Sequence, residues 1–144
     1  MKSLVALMIL VAVFSSVSAQ DAEIKKMSEI DTSEGIVVLD FMDTVCAPCR
    51  MQMDELKKVH EKYGDEVRII SVDVKSQDTK GILADYKKGV GAEWEFAIDD
   101  KGLASQYRVF AIPTLVILKN GENVYRHMGL TSNSDLIKEI EKVL

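Results

Sequence analysis

The chain has 144 residues, 47% of them hydrophobic and 28% charged, which suits one domain with a modest core. Its 23 acidic residues outnumber 18 basic ones, a formal charge of -5, and this excludes the basic footprint of a nucleic-acid-binding domain.

The first residues differ in character from the rest. Lys2 supplies a short positive start, Leu4 to Phe14 is an apolar run of eleven residues, and Val17-Ser18-Ala19 offers small residues to a signal peptidase. Residues 1–19 read as a secretory signal with Gln20 as the mature N-terminus, leaving a domain over 20–144 with 17 basic and 23 acidic residues. A retained membrane anchor is the alternative, although Ser15, Ser16 and Ser18 cut the run below the roughly 20 residues a spanning helix needs.

Helical spacing of Ile24, Met27 and Ile30 predicts a short helix over Asp21 to Ile30. Ile36 to Met42 is apolar except for Asp40 and reads as a strand buried on both faces. Pro48 stands where a helix tolerates its missing N–H. From there Met53, Leu56, Val59 or His60, and Tyr63 continue an inward stripe to Gly64. Cys49 lies on that stripe, whereas Cys46 precedes the first turn and points outward. Asp54, Lys57, Lys58 and Glu61 mark a solvated face.

Val67 to Val74 predicts a second strand, paired in parallel with the first through the intervening helix. Thr79 to Lys88 is expected to be helical, Trp94 to Ile98 a short strand, 99–102 a turn and Leu103 to Tyr107 a short helix. Thr114 to Leu118 and Asn123 to His127 flank Asn120-Gly121, the preferred pair for a type I′ hairpin. Ser132 to Asp135 opens a final helix as a capping box, with Leu136, Ile137, Ile140, Val143 and Leu144 on its apolar face. The pattern β-α-β, a mixed middle, then β-β-α implies an α/β fold: a central mixed sheet, mostly parallel, with helices on both faces.

The only two cysteines, Cys46 and Cys49, leave three readings open. As a staple, a four-residue loop contributes only about 2 kcal/mol, against roughly 5 for a 100-residue loop. As a zinc site, the pair lacks ligands beyond His60 and His127; Met42, Met51 and Met53 nearby suit soft Cu(I), but methionine is also an ordinary core filler. As a redox pair, the spacing explains itself. A thiol at a helix N-terminus is favoured as thiolate, so Cys46 attacks, while the inward Cys49 resolves the mixed disulfide. Arg50 adds a positive charge beside them or is simply an exposed arginine. Asp40, a carboxylate amid "IVVLDFM", is either the acceptor of the Cys49 proton, a group at the strand end, or one that hydrogen-bonds locally.

The stretches "VVLDFMDTVCAPCRMQM", "RVFAIPTLVILKNGE" and "MGLTSNSDLIKEI" together resemble the thioredoxin superfamily, and "WEFAIDDKGLASQYRVFAIPT" looks like its secreted TlpA-like thiol–disulfide oxidoreductase branch. The resemblance spans about residues 21 to 144 and implies a thioredoxin-like fold. It further implies Cys46 as nucleophile, Cys49 as resolving thiol, Asp40 as the buried acid, and Pro113 after a cis bond. Ile112, Pro113, Gly129 and Val45 would line a groove for an extended substrate segment. Val45 and Met42 replace the usual tryptophans, implying a more aliphatic groove, and Ala47-Pro48 resembles the reducing members.

The resulting expectation is an exported protein disulfide oxidoreductase, periplasmic or extracellular, that reduces protein disulfides through Cys46 and Cys49 as a monomer with no cofactor beyond its dithiol. Its partners would be exported disulfide-containing proteins or apo-cytochromes and a membrane thiol reductase as electron donor, with no nucleic acid. A disulfide-forming oxidant, a copper-handling chaperone and a non-catalytic binding module of the same fold are the rival readings.

Overall fold

Two strands buried on both faces organise the chain. Every residue of β2 (Ile36–Met42) is buried, as are all but Arg68 in β3 (Val67–Asp73). They pair in parallel, from Ile36 opposite Val67 to Met42 opposite Asp73, and α1 (Ala47–Tyr63) connects them. The structure is a computed structural model that describes residues 24–144.

α2 (Lys80–Val90) leads to β4 (Glu95–Ile98), which lies parallel to β3. α3 (Leu103–Gln106) follows, then β5 (Thr114–Lys119), antiparallel to β2, its hairpin partner β6 (Glu122–Met128), and α4 (Asn133–Glu141). With β1 (Lys25–Lys26) parallel to β4, the described residues make one mixed sheet in the order β1-β4-β3-β2-β5-β6.

Alternation along the strands divides the core in two. Ile36, Val38 and Met42 of β2, Val67 and Ile69 of β3, and Leu115 and Ile117 of β5 face Met53, Leu56 and Val59 of α1, Leu83 of α2, and Leu136 and Ile140 of α4. Val37, Leu39 and Phe41, with Ile70, Val72, Val116 and Leu118, face Leu103 of α3 and Met27 and Ile30. Helices therefore cover both faces, as expected.

Local chemistry sets the element ends. Thr79 Oγ1 accepts the Ile82 N–H at 3.2 Å and caps α2. Ser132 Oγ accepts the Asp135 N–H at 3.2 Å and caps α4, and its hydroxyl also donates to the Asp135 carboxylate at 2.9 Å. Asn120 and Gly121 take φ values of 50° and 79°, the left-handed pair of a type I′ turn.

The N-terminal expectation needs correction. The signal read over residues 1–19 and the first part of the helix expected over Asp21 to Ile30 lie outside the described residues. The remainder is β1 and a 3-10 turn, Met27–Glu29. Helical spacing misled because the apolar residues serve different layers: Ile24 packs with the α1 side of the sheet, Met27 and Ile30 with the α3 side. A chain passing around a sheet edge delivers them to both faces without being a helix.

Candidate active site

Cys46 is the N-cap of α1, with extended backbone (φ -83°, ψ 113°), and Pro48 occupies the first turn where its missing N–H costs nothing. Cys46 and Cys49 form a disulfide, Cα to Cα 5.2 Å. The Cys49 N–H points at Cys46 Sγ at 3.2 Å, so the helix terminus aims a free donor and its positive dipole end at this sulfur. When the pair is reduced, the same field favours the Cys46 thiolate. Cys46 is partly exposed and Cys49 fully buried, the two environments that the spacing predicts.

The loop before Cys46 is fastened from two sides. Asp43 Oδ1 accepts the Val45 N–H at 2.9 Å, and the Thr44 hydroxyl donates to Asp78 Oδ2 at 2.6 Å. Lys75 holds the other oxygen of Asp78 at 3.2 Å. Asp73 lies beneath this cluster; burial, with some help from Asp78 and Asp43, pushes its carboxyl up to about 6, against the Lys75 N–H bond that lowers it.

Across the surface, the Ile112-Pro113 bond is cis and the Ile112 carbonyl oxygen stands 3.8 Å from Cys46 Sγ. The Thr114 hydroxyl donates to the Ala111 carbonyl at 2.6 Å, and the Gly129 N–H to the Pro113 carbonyl at 2.8 Å. Gly129 has φ +102° with open space around a would-be Cβ, so backbone conformation, not crowding, requires glycine here. Thus Ile112 lies against Cys46, and Gly129 is bonded to the residue that follows Ile112. Val45 is 74% exposed beside Cys46. Met42 departs from expectation: it is fully buried in the α1-side core with Met53 and Cys49, because even positions of β2 face α1, so it adds nothing to the groove's surface.

Asp40 is wholly buried. It occupies the middle of β2 on the α1 side, directly opposite Ser71 of β3 and Leu115 of β5, which removes the strand-end alternative. The Ser71 hydroxyl donates to Asp40 Oδ2 at 2.8 Å, while Oδ1 finds no hydrogen-bond partner among the described residues. Burial pushes the Asp40 carboxyl up to about 7, the Ser71 bond pulling it back only partly. By the alternation of β2, the Asp40 side chain lies on the same side of the sheet as Val38 and Met42, which pack in one cluster with Cys49.

Sequence reading missed three features. Phe110, 80% exposed, precedes Ala111 at the cis-proline turn, and nothing local distinguishes it from a surface aromatic in a short linker. Ser71 carried a usable signal, since it interrupts the apolar "VRIISVD" as Asp40 interrupts "IVVLDFM". Gln52 is the third: its side-chain N–H donates to the Thr131 carbonyl and its oxygen accepts the Thr131 N–H, both at 2.9 Å and buried. This clamp ties α1 to the segment following Gly129. Replacing Gln52 with leucine strands two buried backbone groups, and urea unfolding should show a loss of about 3 kcal/mol.

Elsewhere, His60 is half-buried against Trp94, with ring centroids 5.9 Å apart, and the Asp54–Lys57 and Glu55–Lys58 pairs are ordinary solvated i,i+3 contacts. Among the described residues, no group of three or more His, Cys, Asp or Glu is arranged to hold a metal ion, and no helix is long and apolar enough to cross a membrane.

A thioredoxin-like domain family model matches residues 24–144. The chain is 30% identical over 115 residues to a thioredoxin of Bacillus subtilis (strain 168), covering 79% of this chain and 88% of the relative. It is 28% identical to the chloroplastic thioredoxin Y of Oryza sativa subsp. japonica over 80% of this chain, and spans 55% of that relative's length. The solved structure of a DsbF homologue from Corynebacterium diphtheriae superposes with a TM-score of 0.67 at 28% identity, covering 76% of this chain and 73% of the other. With a cysteine pair at the head of α1 in the same sheet framework, the chain belongs to the thioredoxin-like domain family and is a thiol–disulfide oxidoreductase of that family.

Proposed function

We propose that the protein is an exported reductant of protein disulfides. The observation that supports dithiol chemistry is Asp40, a wholly buried carboxyl near 7 on the same side of the sheet as Cys49, and the Ala47-Pro48 dipeptide, which resembles that of the reducing members, favours the reducing direction. In the reducing direction, the Cys46 thiolate attacks a substrate disulfide, forming a mixed disulfide and releasing the first substrate thiolate. Asp40 then takes the Cys49 proton, the Cys49 thiolate attacks Cys46 Sγ, and the second substrate thiolate leaves. Two electrons pass to the substrate, and the Cys46–Cys49 disulfide that remains must be reduced by a partner dithiol.

Substrate recognition in this reading uses the edge formed by Ile112, Pro113 and Gly129, where an extended segment with a cystine can lie beside Cys46, with exposed Val45 as an aliphatic contact. Export rests on the sequence pattern of residues 1–19, and sequencing the N-terminus of protein recovered from its native cells should give Gln20.

Equilibration with defined thiol–disulfide buffers tests the direction. The expected reduction potential lies near the thioredoxin value of about -270 mV; a value near the DsbA value of about -120 mV would make the protein an oxidant instead.

A further inference from the structure

Asp40 does not stand alone in the core. The Trp94 indole N–H donates to Ser71 Oγ at 3.0 Å, and the Ser71 hydroxyl donates to Asp40 Oδ2 at 2.8 Å, in a chain of three buried groups reaching from the start of β4 across β3 to β2. We propose that Ser71 and Trp94 are positioning residues for Asp40, committing its Oδ2 as a hydrogen-bond acceptor and leaving Oδ1 as the oxygen that exchanges a proton with Cys49. This inference rests on the reading of Asp40 as the acceptor of the Cys49 proton.

The polarity of the chain follows from the chemistry of its members. An indole N–H only donates and does not titrate, whereas a serine hydroxyl has one proton and two lone pairs. With one lone pair occupied by Trp94, the Ser71 proton is directed to the carboxylate. Oδ2 is then engaged as an acceptor, and the incoming proton goes to Oδ1, the oxygen without a partner among the described residues. In the transfer the Cys49 S–H bond breaks and an Oδ1–H bond forms. The thiolate left behind attacks Cys46 Sγ, and the substrate thiolate departs with the electron pair of the broken S–S bond. Fixing the acceptor oxygen removes a side-chain rotation from this step.

The other groups on this side of the sheet are few. α1 contributes Cys49 and, against the far side of Trp94, His60. α2 contributes Tyr86, whose buried hydroxyl is held protonated by desolvation and then by the Asp40 charge; exposed Arg50 weakly opposes this and half-buried Asp43 weakly adds to it. β5 and α4 present the apolar residues Leu115, Ile117, Leu136 and Ile140, and at the opposite end of α1 from Cys49 the Tyr63 hydroxyl donates to Glu141 of α4.

The test is the pH profile of the resolution step, followed by stopped flow from pH 5 to 9 as Cys49 expels a small aromatic thiol preloaded on Cys46. Removing the donor by Ser71→Ala favours the protonated carboxyl and should move the acid limb up by about one pH unit. Trp94→Phe should move it the same way by about half as much, and Ser71→Thr should restore the native profile. His60→Gln should leave the limb in place. Limbs unmoved in folded Ser71→Ala and Trp94→Phe proteins would overturn the proposal, and if Ser71→Ala fails to fold, Trp94→Phe decides alone. Asp40→Asn separates the two readings. Loss of the limb in that variant keeps Asp40 as the acceptor whatever Ser71 does, while a limb that survives removes Asp40 from the mechanism.

Discussion

Cys46→Ala is expected to lower turnover in a protein-disulfide reduction assay by roughly 10^4-fold or more, because the attacking thiolate is lost and the one cysteine left, Cys49, is fully buried. Cys49→Ala should fail differently. Its Cys46 still faces the helix N-terminus and still attacks, but nothing resolves the product, so the protein accumulates as a mixed disulfide with its substrate. Intact-mass measurement distinguishes the two, showing a substrate-sized adduct on Cys49→Ala and none on Cys46→Ala. The reverse pattern would exchange the roles of the two thiols. The partly exposed position of Cys46 and the burial of Cys49 argue against that exchange.

The second large effect concerns stability. In the folded protein Asp40 holds its proton up to about 7, whereas the ordinary value is 3.8. Between those two pH values the folded state binds more protons at this site than the unfolded state, so stability falls as pH rises through the window and stays lower above it. Integrated over the window, Asp40 costs the protein at pH 8 roughly 4 kcal/mol relative to pH 3. Asp40→Asn should abolish that component. Urea unfolding at pH 5 and pH 8 should show a much flatter dependence in the variant than in the native protein. Asp73, pushed up to about 6, contributes a slope of the same sign to both, so the difference between them isolates Asp40. The same variant should slow resolution by about 100-fold at neutral pH, the usual weight of a positioned general base. Equal slopes in the two proteins would mean that Asp40 titrates near its ordinary value and is no proton acceptor at pH 7.

Features contained within a turn or two of chain were legible before any fold was known. Pro48 and the stripe from Met53 to Tyr63 define α1, and Cys46 and Cys49 take their contrasting environments from positions on that helix. Asn120-Gly121 determines the hairpin, and Ser132 caps α4. Even the burial of Asp40 could be read, since a strand apolar on both sides leaves its carboxylate no route to water. Each rests on backbone propensity, capping or periodicity, which act locally and leave a local pattern.

What joins these pieces depended on the tertiary structure. Met42 reads as a groove residue next to the cysteines, yet the pleat of β2 turns it into the core. The apolar residues at 24, 27 and 30 keep a helical rhythm while serving two sides of a sheet edge. Ser71 meets Asp40 across 31 residues of chain and Trp94 meets Ser71 across 23, through the register of β3 against its neighbours; Gln52 finds Thr131 across 79. Such pairs leave no local trace because a hydrogen bond between distant residues places no demand on the residues beside either partner. Thus the sequence by itself determined which cysteine heads the helix, which one turns inward, and that an acid lies buried in the neighbouring strand, whereas only the packed sheet decided how that acid is held.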